Sequence, residues 1–153
     1  MKLLKGITGF RKVYEVENPT QIDEKKLKEF AHQCGNVTKF RLEEILRPNT
    51  SSNYYRLIYQ HKITGQRIDL AINCQFPLYT GISSNSQWMQ IRFVDLPAEI
   101  RTYFDPNFTF LEPEWLTTEF ADEDLIELSE AEVDQIKYWE SKTYGEVIFN
   151  GYD

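Results

Sequence analysis

Nucleophiles and bases are sparse in this chain. It has two cysteines, Cys34 and Cys74, and two histidines, His32 and His61. A cysteine beside a histidine becomes a nucleophile when the imidazole takes the thiol proton. Cys74 in a strand, with His61 across a turn, is the pairing that the order of residues allows. No family-type flanking pattern surrounds either residue, so a buried thiol and a surface imidazole are the plainer reading. His32 and Cys34 stand two apart on a helix, which turns their side chains about 200° from each other. They cannot share a metal, and four scattered N and S donors do not make a zinc site. Serine chemistry lacks its G-x-S-x-G, and "GISSNS" (81–86) reads as loop. Gly6 and Gly9 belong to no phosphate-cradling motif. The expectation is no catalytic residue, no metal and no cofactor.

Carboxylates are the exception. "EFADEDLIELSEAEVDQ", residues 119–135, holds eight Asp and Glu and no Lys or Arg. Two carboxylates suffice for glycoside hydrolysis, so a C-terminal carboxylate pair, or Cys74, defines the rival enzyme reading, a small hydrolase or transferase. Close pairs arise by density alone, however, among the 16 acids of residues 95–153. A general acid also needs a desolvated site. The run lacks the ordered aspartates and the glycine of a calcium loop.

Charge is divided along the chain. Residues 1–94 carry 14 Lys and Arg against 8 Asp and Glu; residues 95–153 carry 3 against 16. Such a field repels phosphate, which excludes nucleic acid and anionic lipid as ligands of the C-terminal third. "NYYRLIYQHK" (53–62) mixes aromatic and basic residues as RNA-binding sheets do. Its Tyr55, Leu57 and Tyr59 alternate onto one face and read as core instead.

A charge run is ordinarily a solvated face. Three features favour a cationic protein partner here. The run lacks the Lys and Arg that support exposed helices through i,i+4 pairs. Trp115, Leu116, Phe120, Leu125, Ile126 and Leu128 are threaded through or beside it, and aromatic anchors ringed by charge mark tight interfaces. No other centre competes for the role. The expected partner-facing residues are Glu119, Asp122, Glu123, Asp124, Glu127, Glu130 and Glu132, with Trp115 or Phe120 as anchor.

The elements that must position these residues follow from periodicity. The 153 residues are one domain's worth, and 41% are apolar. Residues 2–16 read as extended. In "NPTQIDEKKLKEFAHQCGN", Leu27, Phe30, Ala31 and Cys34 share one helical face. Thr20 and Asp23 suggest a capping box and Gly35 a left-handed cap. Residues 37–46, 53–60, 67–76 and 87–96 read as strands, with a hairpin around Thr64-Gly65 and a polar loop over 80–86. Residues 97–104 and 112–120 read as short helices. Ser129 and Glu132 form a capping box for a further helix, and "GEVIFN" (145–150) reads as a closing strand. The fold class is α+β: a single domain over 1–153, with a mostly antiparallel sheet covered by helices on one face.

The ending "KYWESKTYGEVIFNGYD" resembles the C-terminal end of small acidic bacterial immunity proteins of polymorphic-toxin and contact-dependent-inhibition systems. The matching residues are Trp139, Gly145, Glu146, Val147, Ile148, Phe149, Asn150, Tyr152 and Asp153. The match spans about a tenth of the chain and carries no functional residue across. The resemblance implies an intracellular antitoxin that binds and blocks a cognate, basic, nuclease-like toxin domain. A housekeeping adaptor without a toxin partner is the remaining alternative. The N-terminus lacks the apolar stretch of a signal peptide, and no apolar run reaches membrane-span length. Two cysteines are too few for a disulfide scaffold. A cytoplasmic protein is expected.

Overall fold

The computed structural model describes residues 2–10, 22–49, 52–87 and 90–152. Helix α1 (Glu24–Val37) starts where the Asp23 side chain accepts the Lys26 N–H at 3.3 Å. Leu27, Ala31 and Cys34 form its buried stripe. Gly35 lies within the helix, and Thr38 ends it by donating its hydroxyl to the Cys34 carbonyl at 2.7 Å. Thr20, the other half of the expected cap, lies outside the described residues.

Strands β1 (Phe40–Leu46), β2 (Tyr54–His61) and β3 (Arg67–Asn73) form an antiparallel meander. The β2–β3 hairpin turns where the alternation stops, with Gly65 at φ +73°. Strand β4 (Leu78–Ile82) then pairs antiparallel with β3. It occupies residues expected to lead into and form a loop. Pro77, Thr80 and Gly81 look like turn residues in the sequence, but Gly81 serves a close approach: a Cβ there would lie 2.5 Å from the Val94 carbonyl oxygen. The long strand expected over 87–96 shrinks to β5 (Phe93–Val94). Gln87 and Gln90 instead bridge each other, and residues 88–89 lie outside the description.

The chain continues through α2 (Ala98–Phe104), β6 (Thr109–Phe110) parallel to β4, α3 (Pro113–Leu116), a 3₁₀ turn (Asp122–Leu125), α4 (Glu130–Tyr138) and α5 (Tyr144–Ile148). The fold is α+β: among the described residues, a six-stranded, mostly antiparallel sheet with five helices.

Alternation decides what each helix covers. Tyr55, Leu57 and Tyr59 share a core with Ile68, Leu70, Ile72 and Tyr79, under α1 and under Ile100 and Phe104 of α2. Tyr54, Ala71 and Ile82 point the other way. They pack with Leu3, Ile7, Leu116, Ile136, Val147 and Phe149. Helical cover therefore stands on both faces, and the acidic third packs on the second.

Three of the local expectations are corrected. Among residues 2–10 there is no strand; residues 5–8 are turns, and 11–16 lie outside the description. The helix read over 112–120 is a single turn, α3. "GEVIFN" is not a strand. Thr143 Oγ1 accepts the Glu146 N–H at 3.3 Å, and Glu146 reaches back to the Lys142 N–H at 2.7 Å, which sets a helical turn. Local capping thus overrides the β-propensity of Val147 and Ile148. Gly145 has no freedom to be larger, since a Cβ would run into the Phe93 ring.

Three buried asparagines lock this end. Asn53 and Asn73 both donate to the Ile148 carbonyl, at 3.0 and 2.8 Å, and both reach the Ile7 carbonyl. Asn150 donates to Thr8 and Val147 carbonyls, and its own N–H goes to Asn53 Oδ1 at 2.8 Å. A buried amide supplies donors and acceptors together, so it can satisfy irregular backbone that no sheet pairs.

Candidate acidic interface

The acidic run divides into two populations. Glu119, Asp122, Glu123, Glu127 and Glu130 are exposed. None of them makes an ion pair among the described residues. The chain has no Lys or Arg between Arg101 and Lys137 to neutralise them. Asp134 is exposed beside them.

Asp124 and Glu132 face inward, which corrects the expectation that they meet a partner. Glu132 is 1% exposed. Its Oε1 accepts the Gly6 N–H at 2.8 Å and the Ser129 N–H at 3.2 Å; its Oε2 accepts the Thr8 N–H at 3.1 Å and the Thr8 hydroxyl at 2.6 Å. Four donors replace the water that a buried carboxylate loses. Asp124 Oδ2 accepts the Tyr144 hydroxyl at 2.7 Å and the Ala121 N–H at 2.9 Å. Hydrogen bonding from Tyr144 first, then from the Ala121 amide, holds the Asp124 carboxyl below its ordinary range. These two inward acids clamp the outward ones to the body of the fold.

The expected anchors are also built into the fold. Trp115 is half-buried and stacks on Tyr144, with centroids 4.2 Å apart and 16° between planes. Phe120, half-buried too, meets the same ring edge-on at 6.4 Å. The large apolar side chain that the run does expose is Ile126, at 69%. Its position was legible: Leu125 and Leu128 are three apart and turn inward, which leaves Ile126 outside. The backbone role of Glu132 was equally legible in its capping box, which the structure contains.

Cys74 and His61 are not brought together. Cys74 lies beside Asn53, whose carbonyl takes the Cys74 N–H at 3.0 Å, at one end of β2. His61 ends the same strand, seven residues on, at about 3.3 Å per residue. His61 Nδ1 accepts the Ile63 and Thr64 N–H groups and closes the hairpin. Cys74 borders a cleft of about 210 Å³ with Thr8, Asn49, Ser52, Asn53 and Tyr152. Burial pushes its thiol up, away from thiolate. Cys34 is buried and likewise pushed up, to about 11. Both thiols are free.

Among the described residues no group of three or more His, Cys, Asp or Glu is placed to hold a metal ion. No described helix is long and apolar enough to cross a membrane. Compared with protein-family models, curated proteins and solved structures, the chain matches none of them.

Proposed function

We propose that this protein is an immunity-type inhibitor: it binds a basic, nuclease-like toxin domain inside the cell that makes it and blocks that domain. The observation that carries the reading is the set of exposed carboxylates Glu119, Asp122, Glu123, Glu127 and Glu130, which make no ion pair among the described residues, with the exposed Ile126 in their midst. Like charges this dense cost the free protein a few tenths of a kcal/mol per close pair. A cationic partner reverses that sign. Long-range attraction then speeds encounter, and a central apolar contact slows departure. Inhibition follows if carboxylates occupy the ground where a nuclease holds phosphates. The C-terminal resemblance and the overall acidity support the same reading.

The test separates an antitoxin from an adaptor. The chain, immobilised, is used to capture a partner from the organism that encodes it, beside a variant with Asp122→Asn, Glu123→Gln and Glu127→Gln. The captured protein is then expressed alone and together with the chain. Growth arrest by the partner alone, relieved by the wild-type chain and less by the variant, is the expected result. A partner that is harmless when expressed alone contradicts the antitoxin reading.

A further inference from the structure

We propose that the groove between residues 90–93 and α5 seats an arginine side chain of the basic partner; the proposal rests on the inhibitor reading above. The groove encloses about 190 Å³. That is below the size of a cofactor or drug-like pocket and suits one long side chain. Phe93, Gly145, Phe149, Thr117, Thr143 and Glu146 are among its lining; Phe93 is half-buried and Phe149 is buried behind it. The two phenylalanine rings are 6.0 Å apart between centroids. Gly145 lets the Phe93 ring pack directly against α5, because a Cβ there would run into that ring.

Its charge selects the occupant. Glu146 is exposed and held by α5. Its Oε2 is engaged by the Lys142 N–H, and its Oε1 accepts nothing from the described residues. Among the described residues no Lys or Arg lines the groove; Arg92, between Ile91 and Phe93, is exposed outside its lining. Thr143 is bridged to Glu119, the first carboxylate of the acidic run, so the groove continues the interface. An anionic ligand would meet Glu146 and be repelled. A partner's arginine meets aromatic surface for its stem and flat guanidinium, and a carboxylate for its N–H fork. A lysine ammonium is a hydrated point charge and gains less from the aromatic floor.

The full chain, labelled with ¹⁵N, is titrated with acetyl-Gly-Arg-Gly-amide and, separately, with acetyl-Gly-Lys-Gly-amide. The arginine peptide is expected to shift the amides of Phe93, Gly145 and Glu146 saturably. The lysine peptide should bind about tenfold more weakly, the factor that one lost charge-assisted fork of modest strength produces. Glu146→Gln keeps an acceptor for Lys142 and should abolish the shifts while the rest of the spectrum stays dispersed. Phe93→Leu, which removes the ring but keeps apolar bulk, should weaken them. Absent shifts in the groove, equal shifts with both peptides, or shifts indifferent to both substitutions overturn the proposal. A toxin partner that is captured and neutralised while these shifts are absent sinks the groove alone. Groove shifts without any captured toxin leave the groove standing and sink the inhibitor reading.

Discussion

The carboxylate of Glu132 takes the Thr8 hydroxyl at 2.6 Å and the Thr8 N–H at 3.1 Å, across 124 residues of sequence. An acid in the most acidic stretch of the chain is thus an internal fastener. It ties the N-terminal turn to the start of α4, under the exposed carboxylates. Glu132→Gln keeps one acceptor oxygen but turns an amide toward donors that already need partners. It should cost about 1–3 kcal/mol of stability. Glu130→Gln, on the exposed side of the same helix, should stay within about 0.5 kcal/mol. Urea unfolding of the two variants checks this; equal stabilities contradict the inward placement of Glu132.

Asp124 and Tyr144 make stability depend on acid. The folded-state carboxyl is depressed by the Tyr144 hydroxyl and the Ala121 amide. A depressed pKa contributes stability that is present above the ordinary Asp value of about 4 and is lost as pH falls through the lowered folded value. Tyr144→Phe removes the larger cause, so the variant should lose less stability than wild type between about pH 4 and lower pH. Thermal midpoints at a series of acidic pH values give the comparison, and parallel curves for the two proteins contradict the coupling.

Thiol reactivity separates structural from catalytic cysteine. Burial raises both thiols, Cys34 to about 11. Native protein at mildly alkaline pH should react with iodoacetamide far more slowly than free cysteine, and both thiols should label on unfolding. Rapid native labelling at Cys74 would contradict its burial and favour the enzyme reading.

What the sequence discloses tracks how local the deciding interaction is. The hairpin of β2 and β3 was legible because both strands alternate and the turn is a Thr-Gly. Helix α1 was legible from the Leu27, Ala31 and Cys34 stripe. Strand β4 was hidden, since Gly81 is required by Val94, a residue whose neighbourhood only the fold creates. The closing strand was misread because Val147, Ile148 and Phe149 are apolar for burial, while Thr143 and Glu146 set the conformation. At the candidate interface, composition located the charge but not its direction. Asp124 and Glu132 are chemically like their neighbours, and only their partners Tyr144 and Thr8, distant in sequence, turn them inward.

The most direct test of the account is the association rate of the chain with its captured partner, measured against salt for wild type and for the variant carrying Asp122→Asn, Glu123→Gln and Glu127→Gln. Steering by exposed charge predicts a rate that approaches about 10⁸–10⁹ M⁻¹s⁻¹ at low salt and falls steeply as salt rises. The variant should associate more slowly at low salt and converge on wild type at high salt, with little change in dissociation. Rates indifferent both to salt and to the triple substitution would contradict the account and leave the acidic run as a solvated face.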